Sequence, residues 1–211
     1  MERKRMSNYD LALVKAQKEF IQYNIAPMVR KYGLRQDSHY TYITFLSNNY
    51  RISRESGCVE RLSEAGVSVP ADFSESMTIY DVLAYAKENA TLSGQYASVM
   101  HLKGVAKSAN PGGNMFEKYA KSFKGRSAEL REACEGLSGV FYPVGELAYR
   151  IPLFDFLSVV LQFWDADEEF DPALIIKWDD NTLDFMHFET TFYAAGCLLQ
   201  RIADAIDKQH A

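Results

Sequence analysis

The sequence predicts an α+β protein built on a mostly antiparallel sheet, and three observations carry that expectation. Short segments rich in Tyr, Thr, Ile and Val, separated by turn residues, occur in two groups: HYTYITFL, NYRIS and CVERL near the start, and VGELAYRI, FLSVVLQFW and ALIIKW in the last third. Apolar residues at helical spacing bracket them at both ends of the chain. The regular strand–helix–strand alternation of a parallel sheet is missing.

The elements follow in order. Ser7 or Asn8 caps a helix running to about Asn24, with Leu13, Val14, Phe20 and Ile21 on one side. Pro27 suits the first turn of a second, short helix, and Gly33 stops it. The first group of strands then forms a three-stranded antiparallel meander whose turns are SNN and ESG, and the run VPADFSES breaks the strand pattern. Ser74 or Ser76 opens a helix with Ile79, Val82, Leu83 and Ala86 on one face, ending near Glu88.

After the Ser93-Gly94 turn, QYASVMHL is strand-like, KSANPGGN is a loop because Pro-Gly-Gly continues neither a helix nor a central strand, and MFEKYAKSF and SAELREACEGL are surface helices. The second group of strands includes an acidic hairpin. A C-terminal helix starts at about Glu189, with Phe192, Gly196, Leu199, Ile202 and Ile206 at helical spacing. The expected organisation is a single domain over 1–211 with a small helical insertion at about 113–137, and the sequence contains no internal repeat.

Bulk properties narrow the function. With 211 residues, 47% of them hydrophobic and 24% charged, the chain can bury a core without staples. Cys58, Cys134 and Cys197 are far apart, which predicts reduced thiols rather than a disulfide framework or a local zinc clip. The charged start MERKRMSNYD lacks the apolar stretch of a signal peptide, and no run approaches the roughly 20 residues of a membrane span, so a soluble cytoplasmic protein with no membrane partner is expected. Basic residues gather between His101 and Arg131, but without a legible reading module no nucleic-acid partner is expected.

The first chemical candidate is WDADEEFDP, Trp164 to Pro172. Asp165, Asp167, Glu169 and Asp171 alternate as in a calcium loop, yet the sixth position, where such a loop needs Gly, is Phe170, and the twelfth, where it needs a carboxylate, is Ile176. An EF-hand is excluded. Asp167, Glu168 and Glu169 are still candidates for another metal or for acid–base work, against the plainer reading of a solvated hairpin tip. Trp164 and Phe170 imply that part of the loop folds back onto the core, where a carboxylate would need a partner and desolvation would raise its pKa. Asp167 or Glu168 could equally cap backbone donors in the turn.

The second candidate is MHFET. His187 and Glu189 point the same way on an extended segment and could act as a ligand or proton-transfer pair, whereas Glu189 or Asp184 could simply favour the start of the last helix. The third is NPGGN with Lys103 and Lys107, where the backbone N–H groups of Gly112 and Gly113 could cradle an anion, although no phosphate-loop motif is matched. Nucleophile motifs such as GxSxG and HExxH are absent, and Cys197 lies on an apolar helix face.

The last third resembles an uncharacterised prokaryotic family known as a domain of unknown function. The resemblance rests on Pro152, Trp164, the acidic tract Asp167 to Phe170, the aromatic-Asp pair Trp178-Asp179, and Glu189, with weaker similarity upstream through FLSNNYRIS, TIYDVLAYA and the Ser93-Gly94 turn. Ala166 stands where the family more often has Gly, and Trp178 where it more often has Phe. The resemblance implies membership of a family found largely in anaerobes, with some relatives joined to iron–sulfur segments like those of corrinoid one-carbon proteins; no such segment occurs here. It adds Asp179 to the candidate ligand-binding residues.

Three functional readings follow: a soluble binding or accessory module in anaerobic metabolism, for a small ligand, such as an anion, or for a protein partner; a metal-assisted or acid–base enzyme using the acidic loop 165–171; and a structural homo-oligomer. No motif assigns a cofactor or a metal.

Overall fold

The computed structural model describes residues 7–63, 66–105 and 116–208. The chain divides into two compact units, Met1–Ala90 with Phe185–Ala194, and Thr91–Asp184 with Ala195–Ala211. Helices accompany an antiparallel sheet in each, so the α+β class holds.

In the first unit, α1 (Asn8–Phe20) is capped by Ser7, whose side chain accepts from the Asp10 N–H while the Asp10 carboxylate reaches back to the Ser7 N–H. It ends at Phe20, four residues before the expected Asn24, and Pro27 starts α2 (Ala26–Lys31). The meander gains a fourth strand, giving the order β1 (Tyr40–Phe45), β2 (Asn48–Ser53), β3 (Val59–Leu62) and β4 (Ser68–Pro70). The expected break at VPADFSES is therefore corrected: Val69 and Pro70 pair with β3 on the sheet edge, where a residue without an N–H is tolerated.

The β1–β2 turn is also shifted. Leu46 and Ser47, both at positive φ, form a two-residue loop, and the two asparagines lie in β2.

Helix α3 (Phe73–Ala84) opens at Asp72 rather than at Ser74 or Ser76. Asp72 accepts from the Glu75 N–H and Glu75 from the Asp72 N–H. Glu75 is itself buried, receiving the Tyr50 hydroxyl at 2.5 Å and pairing with Arg61 at 3.4 Å, which ties α3 to the sheet.

In the second unit five antiparallel strands lie in the order β5 (Tyr96–Ser98), β9 (Ala173–Asp179), β8 (Leu157–Trp164), β7 (Leu147–Phe154) and β6 (Val140–Phe141). Val159, Val160, Leu161 and Phe163 of the central β8 are fully buried. The expected strand QYASVMHL is short, because the backbone turns into a 3₁₀ turn at Val99–His101. Pro152 sits within β7 at a register shift, consistent with its missing donor. Helices α4 (Glu117–Phe123) and α5 (Ser127–Gly136) occupy the region expected to be helical. Helix α6 (Phe188–Lys208) begins in the first unit and continues in the second.

Gly57, in the β2–β3 turn, fixes how α1 sits in the first unit. Its φ is +74°, and a Cβ there would lie 2.6 Å from the backbone oxygen of Gln17. Its carbonyl also accepts the hydroxyl of Tyr80 on α3. Gly57→Ala combines left-handed strain with a backbone clash, and should lower stability by about 2–4 kcal/mol. Urea denaturation reads the loss; a change below about 0.5 kcal/mol, the scatter of ordinary surface substitutions, would mean that α1 does not depend on this contact.

Candidate functional site

Three helical faces of the first unit line an open cavity of about 520 Å³. Helix α1 and the turn after it contribute Ala16, Glu19, Phe20 and Tyr23, at i, i+3, i+4 and i+7 of one side. From α3 and the residue that caps its C-terminus come Met77, Tyr80, Asp81, Ala84 and Tyr85, at i, i+3, i+4, i+7 and i+8. The remaining wall is His187, Glu189, Thr190 and Tyr193, from the segment that opens α6.

The polar centre is Asp81 with His187. Asp81 Oδ2 accepts the backbone N–H of His187 at 2.7 Å, and Oδ1 lies 2.6 Å from the imidazole Nδ1. An ionised carboxylate only accepts, so Nδ1 carries the proton and Nε2 is left as the free ring nitrogen. Nε2 has no hydrogen-bond partner among the described residues.

The Asp81 side chain is 12% exposed and that of His187 53%, so the carboxylate is the sheltered anchor and the ring is the accessible end. Tyr85 covers one face of the imidazole, with ring centroids 3.6 Å apart. Phe73 holds Tyr193 edge-on at 5.5 Å, and Phe20 meets Tyr80 at 4.6 Å. A carboxylate that fixes an imidazole tautomer is an arrangement suited to hydrogen-bond recognition or to proton transfer.

Of the residues expected from sequence, this site contains His187 and Glu189. Asp81 and Tyr85 were missed, because Asp81 is one carboxylate beside the apolar face of α3 and its partner lies 106 residues downstream. The recurrence of aromatic residues at 20 and 23 and at 80 and 85 was the available signal.

The acidic loop has a different character. Burial opposes the charge of Asp165, but N–H donors from Gly125 and Ala166, the Ser127 hydroxyl and the Lys124 charge outweigh it and lower the pKa. Asp167 Oδ1 accepts the N–H groups of Glu169 at 2.8 Å and Phe170 at 2.7 Å, which lowers its pKa as well. Asp167 is therefore a turn cap with its charge held on, rather than a group desolvated toward acid catalysis.

Glu168 and Glu169 are exposed, and their side chains have no partner among the described residues. The expectation that Phe170 folds back is corrected: it is 69% exposed, because the turn closed by Asp167 directs it outward. Trp164 is half-buried, with its ring 3.3 Å from where a Cβ on Gly145 would lie.

Asp179, 1% exposed, accepts the N–H groups of Ser93, Gly94 and Asn181, so the aromatic-Asp pair fastens the Ser93-Gly94 turn to the end of β9. Lys103 donates to Asn181 at 3.1 Å. Gly112, Gly113 and Lys107 lie outside the described residues. Among the described residues no three His, Cys, Asp or Glu side chains are grouped so as to hold a metal ion, and no helix is long and apolar enough to cross a membrane.

Fold and site together define an α+β protein with an aromatic-walled cavity carrying an Asp–His pair. The chain belongs to the family described as a domain of unknown function, DUF3786, which matches residues 24–201. No curated protein and no solved structure matches it. The α3 and α6 walls fall inside the matched span, while α1 precedes it.

The hydrogen-bond assignment is testable by ¹⁵N NMR of the His187 ring. Neutral His187 should carry its proton on Nδ1, and Asp81→Asn should move a substantial fraction to Nε2. An unchanged tautomer ratio would break the link between Asp81 and the ring's orientation.

Proposed function

We propose that this protein is a small-molecule-binding module whose ligand occupies the cavity between α1, α3 and the start of α6. The observation that carries the reading is the cavity itself: its volume lies within the roughly 300–1,000 Å³ of ligand sites, its walls are aromatic, and one oriented imidazole supplies a polar contact. The family resemblance supports placing this role in anaerobic metabolism, and a cytoplasmic setting is part of the proposal.

A second reading, acid–base catalysis, is favoured by the free Nε2 of a carboxylate-oriented histidine. It moves the proton-transfer residues from the acidic loop to Asp81 and His187. Asp167, Glu168 and Glu169 are then surface and turn residues of the second unit.

The binding reading predicts that a broad panel of small metabolites contains compounds that raise the melting temperature of the full chain, by an amount set by concentration over Kd. Ala16→Trp, which fills the cavity from α1, should abolish the shift while circular dichroism and the ligand-free melting temperature stay close to wild type. Shifts that persist in Ala16→Trp, or a panel without a single shift, would refute this site.

A further inference from the structure

The chemistry of the walls selects among ligands. Tyr23, Tyr85 and Tyr193 line it with partly exposed rings above the buried Phe20–Tyr80 pair, and aromatic faces carry the negative end of the ring quadrupole. Among the described residues, the carboxylates and imidazoles around them are Glu19, Asp81 and Glu189 against His187, and neither Lys nor Arg lines the cavity. Asp81 is already engaged by His187.

Glu189 has no hydrogen-bond or ion-pair partner among the described residues. Glu19 has only Lys15 at 3.6 Å, and both side chains are well exposed, so that pair offers little competition. An anion would meet the Glu19 and Glu189 carboxylates, offset among the described residues only by the exposed Lys15 beside Glu19 and by the His187 imidazole. A bare metal ion would find no converging ligand set among the described residues.

We infer that the cavity takes a small organic ammonium ion, its charged head between the aromatic rings and the Glu19 and Glu189 carboxylates, its apolar part against Met77, Ala16 and Ala84. The inference rests on the cavity being a ligand site, and it names the chemical class of the ligand. Aromatic faces attract a cation whose hydration has been partly removed, and nearby carboxylates add a longer-ranged attraction that salt weakens. A neutral ligand of equal shape receives neither contribution. Charge therefore decides the preference, while the cavity's size decides the fit.

The test is calorimetric titration of the full chain with choline and 2-phenylethylammonium, each beside its neutral isostere, 3,3-dimethyl-1-butanol or 2-phenylethanol, and with 3-phenylpropionate as the anion. At least one ammonium probe should bind about tenfold tighter than its isostere, and the carboxylate should be weakest. Glu189→Gln keeps the shape and should weaken the ammonium probe about three- to tenfold while leaving isostere binding within about twofold. Tyr193→Leu should reduce the ammonium preference itself.

Equal binding of isostere and ammonium, or tighter binding of the carboxylate, overturns the cation assignment. So does an ammonium affinity unchanged in both Glu189→Gln and Glu19→Gln. Silence from every probe also overturns it. If a compound of other charge then binds wild type and is lost in Ala16→Trp, the ligand-site reading stands without the cation; if none does, both fall.

Discussion

Both oxygens of one carboxylate are spent on one residue: Asp81 accepts the backbone and the ring of His187 across 106 residues of chain. The cavity depends on this. Without it, nothing of comparable strength among the described polar contacts draws the opening turn of α6 to α3, and the wall bearing His187, Glu189 and Tyr193 would lose its reference point. The geometry also uses the carboxylate economically, since the same group satisfies the N–H that precedes the helix and selects the ring tautomer. On the other side Gly57 permits the close approach of α1, since a Cβ there would clash with the backbone of Gln17.

Two kinds of acidic side chain contrast in this protein. Asp165, Asp167, Asp179 and Glu75 are occupied by N–H and hydroxyl donors, and they hold turns and helix starts in place. For Asp165 and Asp167 the hydrogen bonds donated by the fold favour the charged form, which suits a cap and does not suit a general acid. Glu19 and Glu189 instead line an open cavity, with at most an exposed lysine as partner. Charge that the fold does not use is charge a ligand can meet.

Much of the local structure was legible from the sequence because its causes are local. Ser7 with Asp10, Pro27 after the first helix, and the apolar runs of β7, β8 and β9 each carry their own signal within a few residues. The misreadings have equally specific causes. Pro70 argued against a strand, and only the position of β4 at a sheet edge makes it acceptable. Asp72 lost to two nearby serines because Glu75 was not paired with it. The site was half legible: His187 and Glu189 stand out as a pair, but no sequence interval connects them to Asp81, and WDADEEFDP drew attention by its charge density although its carboxylates mostly serve or surround a turn.

The claim that Asp81 builds the cavity by fastening the start of α6 is tested most directly by backbone amide hydrogen exchange over residues 187–193 in wild type and Asp81→Ala. The account predicts protected amides in wild type and exchange faster by about tenfold or more across this segment in the variant, with the β1–β4 amides unaffected. Equal protection in the two proteins would contradict it, because the cavity wall would then be held by something other than the Asp81–His187 contact.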